Sequence, residues 1–257
     1  MFRDKVKNNE KTVGMLVHLN DIGVARIAAL AGYDFVWIDL EHSSMSLQTL
    51  QADIAVIKAS GVAVVVRVPQ NDLTYTKKVM EMGIDGIIFP MIRSAAEASE
   101  QISWTLYPPY GTRGFGPIGA IEYNFLDAKK YVDGTCDEIC RFIQIEHIDA
   151  IRELDAIMEN EYIDGYIFGP NDLSGSIGQM LDVFGEDTVG LMRSVMERLN
   201  EKGKYSGLAT GDTSDSTLSF WSNMGVGMLA AGVDYVLLKD AALENRRKLE
   251  RIHKKNI

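Results

Sequence analysis

Short apolar segments rich in β-branched residues recur along the chain, and each is followed by a stretch in which apolar positions have helical spacing. The pattern predicts eight buried strands, at Val13–Val17, Phe35–Ile38, Ala63–Val68, Gly86–Phe89, Phe142–Ile145, Gly165–Phe168, Tyr205–Ala209 and Tyr235–Leu238. It predicts helices at Ile22–Ala31, Leu47–Ala59, Thr74–Met82, Ala95–Ile102, Ala150–Glu159, Val189–Glu201 and Thr217–Ala231. Because apolar strands that alternate with helices form a parallel sheet covered on both sides, the chain is predicted to be an α/β protein.

Eight strand–helix units in about 250 residues match the size of a (β/α)8 TIM barrel. A doubly wound sheet would alternate in the same way, but no Gly-x-Gly-x-x-Gly motif follows the first strand. No linker interrupts the pattern, and the longest irregular stretch, Tyr107–Leu126, lies between the fourth and fifth units. Residues 1–257 are therefore predicted to form a single TIM-barrel domain.

Composition and charge narrow the function classes. Hydrophobic residues make up 46% and charged residues 24%, which are the proportions of an ordinary globular protein. Lys and Arg total 26 against 36 Asp and Glu, and this net charge of −10 argues against a nucleic-acid partner. No apolar run approaches the roughly 18 residues that cross a bilayer, and the charged segment Met1–Lys7 is not followed by a signal-peptide core. We expect a cytoplasmic protein with no membrane partner, in which Cys136 and Cys140 are reduced thiols one helical turn apart.

Polar residues gather where the predicted strands end, which is where TIM barrels place their chemistry. They are Asp39, Glu41 and His42 after the second strand, Arg67 in the third, Gln144 and Glu146 in the fifth, Gly169–Ser174 after the sixth, Asp212 after the seventh and Lys239–Asp240 after the eighth. Taken singly, Asp39 has the ordinary interpretation of a helix cap, and His42 that of a solvated histidine. Arg67 at the rim of a barrel core needs an anionic or carbonyl partner.

Two carboxylates in this set suggest a metal site. Gln144 and Glu146 share one face of the fifth strand, because residues two apart on a strand point the same way. A carboxylate inside the barrel needs a cation, so Glu146 either pairs with Arg67 or binds a metal, and spacing alone leaves both open. Together with Asp172 it favours Mg²⁺ or Mn²⁺ over zinc. The turn Gly169–Asp172 adds backbone N–H groups able to hold a carboxylate, so the residues indicate a metal enzyme acting on a small anionic oxo-acid.

Five motifs occur in a fixed order along the chain. They are Phe35–His42, Val65–Pro69, Tyr107–Gly116, Gln144–Glu146 and Gly169–Ser174. Together they resemble the HpcH/HpaI aldolase family, the metal-dependent class II pyruvate aldolases, over roughly residues 10–240. The resemblance implies a TIM barrel of the phosphoenolpyruvate/pyruvate type whose eighth helix is exchanged between subunits, in hexamers built from swapped dimers.

The resemblance also implies roles for individual residues. Glu146 and Asp172 match the metal ligands, with Mg²⁺ or Mn²⁺ expected and Co²⁺ as a further candidate. Arg67 matches the arginine that contacts the pyruvyl keto oxygen. Asp39 and His42 match an Asp–His dyad that serves acid–base chemistry.

Two further matches and two departures complete the comparison with the family. Gln144 matches a second residue near the metal and substrate, and the backbone of Gly169–Asn171 would hold the pyruvate carboxylate. Lys239, at the end of the predicted eighth strand, places a bulky cation where the family commonly has a small Gly-Ser/Thr-Asp turn. His147 stands where a small hydroxyl residue is frequent, and we assign it no role.

The activity implied by the resemblance is cleavage of 4-hydroxy-2-oxo acids to pyruvate, or a close 2-oxo acid, plus an aldehyde, through a metal-stabilised enolate. Negative charge develops on the keto oxygen, where a dication and the Arg67 guanidinium would stabilise it. An imidazole such as that of His42 suits a base that takes the proton of the 4-hydroxyl. Three alternatives stay open: an oxaloacetate decarboxylase, a CoA-ester lyase of the citryl/malyl type, and a non-catalytic oxo-acid sensor.

Overall fold

Eight parallel strands pair in chain order and close into a barrel. The computed structural model describes residues 1–254, with the side chains of residues 135–137 excepted. The strands are β1 (Thr12–Val17), β2 (Phe35–Asp39), β3 (Ala63–Arg67), β4 (Gly86–Phe89), β5 (Cys140–Ile145), β6 (Gly165–Phe168), β7 (Tyr205–Thr210) and β8 (Met228–Val233). β1 pairs with both β2 and β8, which confirms the predicted TIM barrel.

Helices surround the barrel. They are α1 (Phe2–Lys7), α2 (Ile22–Leu30), α3 (Leu47–Lys58), α4 (Leu73–Met80), α5 (Ala95–Ser103), α6 (Ala128–Glu138), α7 (Ile148–Arg152), α8 (Leu154–Met158), α9 (Pro170–Ser176), α10 (Glu186–Glu201), α11 (Asp215–Met224) and α12 (Asp234–His253), with a 3₁₀ segment at Gly119–Asn124. Several begin at a Ser or Asp whose side chain accepts a backbone N–H of the first turn. In α3 that cap is Ser46, so Asp39 is not a helix cap. None of the helices in residues 1–254 is both long and apolar enough to cross a membrane.

The alternation of strand residues places polar side chains directly above the apolar interior of the barrel. Residues two apart lie on the same face of a strand, so the last inward position of a strand follows an apolar one. The pairs are Trp37 and Asp39 on β2, Val65 and Arg67 on β3, and Phe142 and Gln144 on β5. All six side chains are buried, and the polar member always stands nearer the carboxyl end of its strand.

The prediction for the eighth strand is wrong. Tyr235–Leu238 lies in helix α12, and the strand is the earlier segment Met228–Val233. The predicted helix Thr217–Ala231 ends at Met224 instead, because Gly225 has a φ of 94° and closes α11 in the left-handed conformation. The segment that follows Gly225 is almost continuously apolar, so the period of its apolar residues could not separate strand from helix.

This correction moves Lys239 away from the barrel mouth. Lys239 lies on α12, its side chain is mostly exposed, and its Nζ is 3.2 Å from Asp240 Oδ1. The residues that actually follow β8 begin with Asp234, so the chain has Gly232-Val233-Asp234 at this end of the barrel. The bulky cation expected there is therefore absent from the end of β8.

Cys140 is not helical, as the sequence had suggested, but begins strand β5. Its thiol is buried, and burial raises the pKa of the thiol well above its usual range, so it is an unreactive core residue. The side chain of Cys136 lies outside the described residues.

Candidate active site

A buried ion pair joins the ends of β2 and β3. Asp39 and Arg67 are register partners in the parallel ladder, so their side chains leave adjacent strands at the same height. Arg67 donates Nε–H to Asp39 Oδ1 over 2.9 Å and Nη2–H to Oδ2 over 2.5 Å. Asp39 is completely buried and Arg67 is 9% exposed. The arginine therefore has the anionic partner that its place in the sequence required.

The side chain of Asp39 also contacts a histidine, and that histidine is His18 rather than His42. His18 follows β1, and its Nε2 lies 2.8 Å from Asp39 Oδ2. Burial by itself would raise the pKa of Asp39, but the hydrogen bonds from His18 and Arg67 outweigh it and hold that pKa well below its usual range. His42 is 60% exposed, and its Nε2 is 3.5 Å from Glu41 Oε2. Asp39 and His42, the two residues matched to the dyad, are thus not in direct contact, although His42 still lies at the mouth of the site.

Arg67 holds two further groups. Its Nη1 donates to Gln144 Oε1 over 3.2 Å and lies 2.9 Å from Glu41 Oε2. The bond to Gln144 and the two bonds to Asp39 use three of the five N–H groups of the guanidinium, while Glu41 Oε2 is an ion-pair partner without a hydrogen bond. One N–H on Nη2 has no acceptor within the described part of the chain and is available to a ligand.

Glu146 is a buried carboxylate without an ion-pair partner among the described residues. Its Oε2 accepts from Gln144 Nε2 over 2.7 Å, and its Oε1 accepts from the backbone N–H of Met91 over 2.6 Å. Burial raises the pKa of Glu146 to about 8, and the negative charges of Glu41 and Asp172 act in the same direction. The salt bridge between Glu146 and Arg67, which the sequence left open, is not formed, so this carboxylate is left in need of a cation.

Gly169 allows the loop after β6 to lie against Glu146. A Cβ on residue 169 would overlap the carboxylate and come 2.7 Å from Glu146 Cβ. Helix α9 starts at the next residue, so Asn171 and Asp172 fall in its first turn, where backbone N–H groups have no acceptor within the helix. The same turn therefore presents one carboxylate and two backbone N–H donors, because Pro170 has no N–H and the N–H of Leu173 already donates to the carbonyl of Gly169.

These residues line one small cavity at the carboxyl ends of the strands. Its volume is about 160 Å³, and its lining includes His18, His42, Arg67, Gln144, Glu146, Gly169, Asn171 and Asp172. Asp39 lies buried beneath it. Pockets for drug-sized ligands run from about 300 to 1,000 Å³, so this one suits a much smaller molecule. Every site residue expected from the sequence, with the exception of Asp39, thus faces the same space.

Glu146 and Asp172 are the two carboxylates that line the cavity. No group of three or more His, Cys, Asp or Glu side chains suited to a metal ion occurs in the part of the chain that the structure describes. A hard dication held here would therefore have two protein carboxylates, with water or substrate oxygens as its other ligands. The buried carboxyl of Glu146, which forms no ion pair among the described residues, fits such an ion.

Sequence reasoning missed His18, Glu41 as a partner of Arg67, and Asp234. His18 directly follows the correctly predicted first strand, so it was available to the same search that found the other residues. Asp234 Oδ2 accepts from the backbone N–H groups of His18 and Leu19 over 3.0 and 2.8 Å. It could not be found, because the eighth strand had been placed after it.

Two other polar residues near strand ends have local structural contacts. Asp212 accepts from Ser214 and Thr217 at the start of α11 and is exposed. His147 precedes α7, and its Nδ1 accepts from the N–H of Asp149 over 3.1 Å. Neither lies in the cavity lining described above.

Comparisons with known proteins agree with this geometry. The model of the HpcH/HpaI aldolase/citrate lyase family matches residues 12–237. The chain is 30% identical over 247 residues to the hydroxypyruvate/pyruvate aldolase of Roseovarius nubinhibens, covering 96% of this chain and 95% of that protein. It is 30% identical over 242 residues to the 2-keto-3-deoxy-L-rhamnonate aldolase of Escherichia coli K12, covering 93% and 89% respectively. The crystal structure of an HpcH/HpaI aldolase from Desulfitobacterium hafniense DCB-2 matches with a TM-score of 0.89 and 26% identity, covering 97% of this chain and 96% of that one.

Proposed function

The chain belongs to the HpcH/HpaI aldolase/citrate lyase family and is therefore an enzyme of the aldolase type, and on that premise we propose a specific reaction. The enzyme cleaves 4-hydroxy-2-oxo acids to pyruvate, or a close 2-oxo acid, plus an aldehyde, and it depends on a divalent metal ion. One observation carries the proposal: the fixed guanidinium of Arg67 and the carboxylates of Glu146 and Asp172 line the same 160 Å³ cavity. The similarity to a hydroxypyruvate/pyruvate aldolase supports a three-carbon oxo-acid as one product.

Glu146 and Asp172 would hold the metal, with Mg²⁺ or Mn²⁺ expected and Co²⁺ as a further candidate. When bound, such an ion acts as a Lewis acid that stabilises negative charge on a substrate oxygen. Gln144 orients the Glu146 carboxylate by donating to Oε2, and the Met91 N–H fixes the other oxygen. These bonds leave the remaining lone pairs of the carboxylate available for a cation.

Arg67 stabilises the charge that develops when the carbon–carbon bond breaks. Cleavage leaves the electron pair of that bond on the pyruvyl fragment, as an enolate with negative charge on its oxygen. The free N–H of Arg67 Nη2 would donate to that oxygen, while the bonds to Asp39 keep the guanidinium from turning away. Asp39 thus serves as the anchor of Arg67.

His42 is proposed to take the proton of the 4-hydroxyl as the bond breaks. It lines the cavity and is 60% exposed, so it lies where the leaving aldehyde would meet solvent. The backbone N–H groups of the first turn of α9, after Gly169 and around Asn171, are proposed to bind the carboxylate of the oxo-acid.

A subunit exchange of the last helix is also proposed. Of the 20 residues of α12 only Asp234 is buried, and the helix exposes Tyr235, Leu238, Leu249 and Ile252. Exposed apolar residues on one helix are best explained by a partner surface, here a second copy of the chain in a swapped dimer or a hexamer of such dimers. Light scattering on the full chain tests this: a monomer at micromolar concentration would rule it out.

Proton exchange of pyruvate tests the reaction without a choice of aldehyde. Chelator-stripped protein is incubated with pyruvate in D₂O, alone or with Mg²⁺, Mn²⁺ or Co²⁺, and the methyl signal is read by NMR after excess chelator is added. Loss of the signal only with metal supports the proposal, and an aldehyde panel then identifies the substrate. If pyruvate exchanges no methyl protons in the presence of any of the three metals, the proposed function is contradicted. Turnover of oxaloacetate or a CoA ester would then identify one of the alternative lyases.

A further inference from the structure

His18 is the one histidine in the described residues that contacts the anchor of Arg67. Its Nε2 lies 2.8 Å from Asp39 Oδ2, and its backbone N–H is held by Asp234 over 3.0 Å. The ring of Tyr235 packs edge-on against it at 5.6 Å between centroids. Two contacts thus hold the imidazole, and a third holds the backbone of the same residue, at the end of β1.

Neither nitrogen of this ring is available to a substrate. Nε2 is occupied by Asp39, and Nδ1 is buried with no hydrogen-bond partner within residues 1–254. A general base must reach the proton it removes, so His18 is not placed to act on the reacting atoms. The ring also lines the cavity, but its ion-pair partner is Asp39, so its influence on the orientation of Arg67 passes through Asp39.

The Asp39 carboxylate has all of its acceptor positions filled. Oδ1 accepts from Arg67 Nε and from the backbone N–H of Glu41, each over 2.9 Å. Oδ2 accepts from Arg67 Nη2 and from His18 Nε2. A carboxylate has about four lone-pair sites, so loss of the His18 donor leaves one buried site empty and frees the carboxylate to rotate.

Rotation of Asp39 would be transmitted across the site. The hydrogen bonds continue from Asp39 to Arg67, from Arg67 to Gln144 and from Gln144 to Glu146. A guanidinium displaced by even about 1 Å no longer meets the developing oxyanion at hydrogen-bond distance, which is costly in preorganised sites.

We propose that His18 is a positioning residue for the aldolase reaction, which fixes the orientation of Arg67 by filling the fourth acceptor site of Asp39. This inference rests on the proposed function, because it assigns Arg67 its role there. It goes beyond that function by naming a residue directly after β1 that none of the matched motifs contains.

Two substitutions separate the hydrogen bond from simple packing. His18→Leu keeps the bulk and removes the donor, whereas His18→Gln keeps an N–H near the position of Nε2. We expect His18→Leu to lower the metal-dependent exchange rate of pyruvate about 10- to 100-fold, as loss of an outer supporting group does, with a smaller change in KM. We expect His18→Gln to recover most of the rate. His253→Leu, on the exposed end of α12, is the matched control and should leave the rate unchanged.

A double-mutant cycle provides the decisive test. If His18 acts through Arg67, then His18→Leu added to Arg67→Ala should cost much less than it costs alone, because the group that it positions is already gone. Equal losses in both backgrounds would overturn the proposal. So would a His18→Gln enzyme as slow as the His18→Leu enzyme.

Crystal structures of the variants give a readout that does not depend on activity. The proposal expects the two-bond contact between Arg67 and Asp39 to be kept in His18→Gln and lost or rotated in His18→Leu. An unchanged contact in His18→Leu would contradict the proposal even if the rate fell. If the parent enzyme catalyses no proton exchange of pyruvate in the presence of any of the metals, the proposed function fails. The crystal structures of the variants still decide whether His18 orients Arg67.

Discussion

Gly169 and Glu146 lie so close together that residue 169 has no room for a side chain. A Cβ at this position would overlap Oε2 of the carboxylate. The close approach brings the first turn of α9, with Asp172, beside the end of β5, with Glu146. Two carboxylates, one directly after β5 and one in the first turn of α9, thereby line one cavity.

Gly169→Ala should therefore disrupt the metal site. Because the added methyl group must displace Glu146 or the loop, we expect a loss of stability of about 1–3 kcal/mol, together with weaker metal activation. Thermal unfolding and the metal dependence of pyruvate exchange measure the two effects. Gly190→Ala in α10 is the control, since a Cβ there meets nothing within 4 Å and should be neutral or stabilising. A Gly169→Ala enzyme with unchanged metal activation would show that Glu146 does not depend on this contact.

Glu146→Gln should stabilise the metal-free protein and abolish its response to metal. Glu146 is 1% exposed and forms no ion pair among the described residues, and burial raises its pKa to about 8, so its carboxyl must be either protonated or buried as an unpaired charge, and the substitution removes that cost of folding. We expect a higher Tm without metal for the variant, and a rise of Tm on adding Mg²⁺ or Mn²⁺ only for the parent. Exposed Glu197→Gln on α10 should behave as the parent does. A variant that still gains stability from metal would exclude Glu146 as a ligand.

Arg67→Lys keeps the positive charge and should still impair the enzyme. A lysine cannot make the two parallel bonds to Asp39 and also reach Gln144, so the donor to the oxyanion is lost. We expect kcat/KM to fall about 10²- to 10³-fold, mostly in kcat. Exposed Arg193→Lys on α10 serves as the control. Full activity in Arg67→Lys would mean that charge alone suffices at this position.

His42→Ala tests the proposed base. Removal of a general base typically costs about 10²- to 10⁴-fold in rate, and we expect a loss in this range for cleavage of the 4-hydroxy-2-oxo acid. The dissociation constant of pyruvate should change little, because His42 contacts Glu41 and not the proposed metal ligands. Stopped-flow cleavage and calorimetric binding separate the two. Unchanged cleavage would remove His42 from the mechanism.

Asp53→Asn should raise stability in a pH-dependent way. Asp53 on α3 is completely buried, and neither carboxylate oxygen has a hydrogen-bond partner in residues 1–254. Burial raises its pKa from 3.8 to about 6, with Asp21 and Asp234 adding to the effect. Because Asp53 binds its proton more tightly in the folded state, protonation of Asp53 favours folding. This contribution to stability is complete below the pKa of the unfolded state and is lost as the pH rises through about 6.

We therefore expect a small advantage of Asp53→Asn at pH 4, growing to about 1–3 kcal/mol above pH 7, at roughly 1.4 kcal/mol per pKa unit. Urea unfolding at pH 4, 6 and 8 measures the difference. Exposed Asp155→Asn should show no such trend. An advantage that does not grow with pH would mean that Asp53 is already satisfied in solution.

The barrel was predictable because its signal is local. Seven of the eight strands were found from apolar runs of four to six residues bounded by helical periodicity, and their order follows from the chain. The eighth was misplaced because the segment from Val226 to Leu238 is apolar almost throughout, and only pairing with β1 and β7 identifies Met228–Val233 as the strand. Helix α1 was not predicted. Its Phe2 packs on Phe35 at the end of the barrel opposite the cavity, and no local sequence pattern predicts this contact.

The sequence by itself determined which polar side chains reach the cavity. Arg67, Gln144 and Glu146 lie at the carboxyl ends of strands, and the alternation of strand residues turns their side chains inward whatever the details of packing. Only the tertiary structure decided how they pair. Asp39 bonds to His18 at the end of the neighbouring strand β1, and Glu146 bonds to Gln144 and Met91 instead of Arg67. Partner choice depends on distances between side chains on different strands, to within about 1 Å, and such distances are set by barrel closure and burial rather than by spacing along the chain.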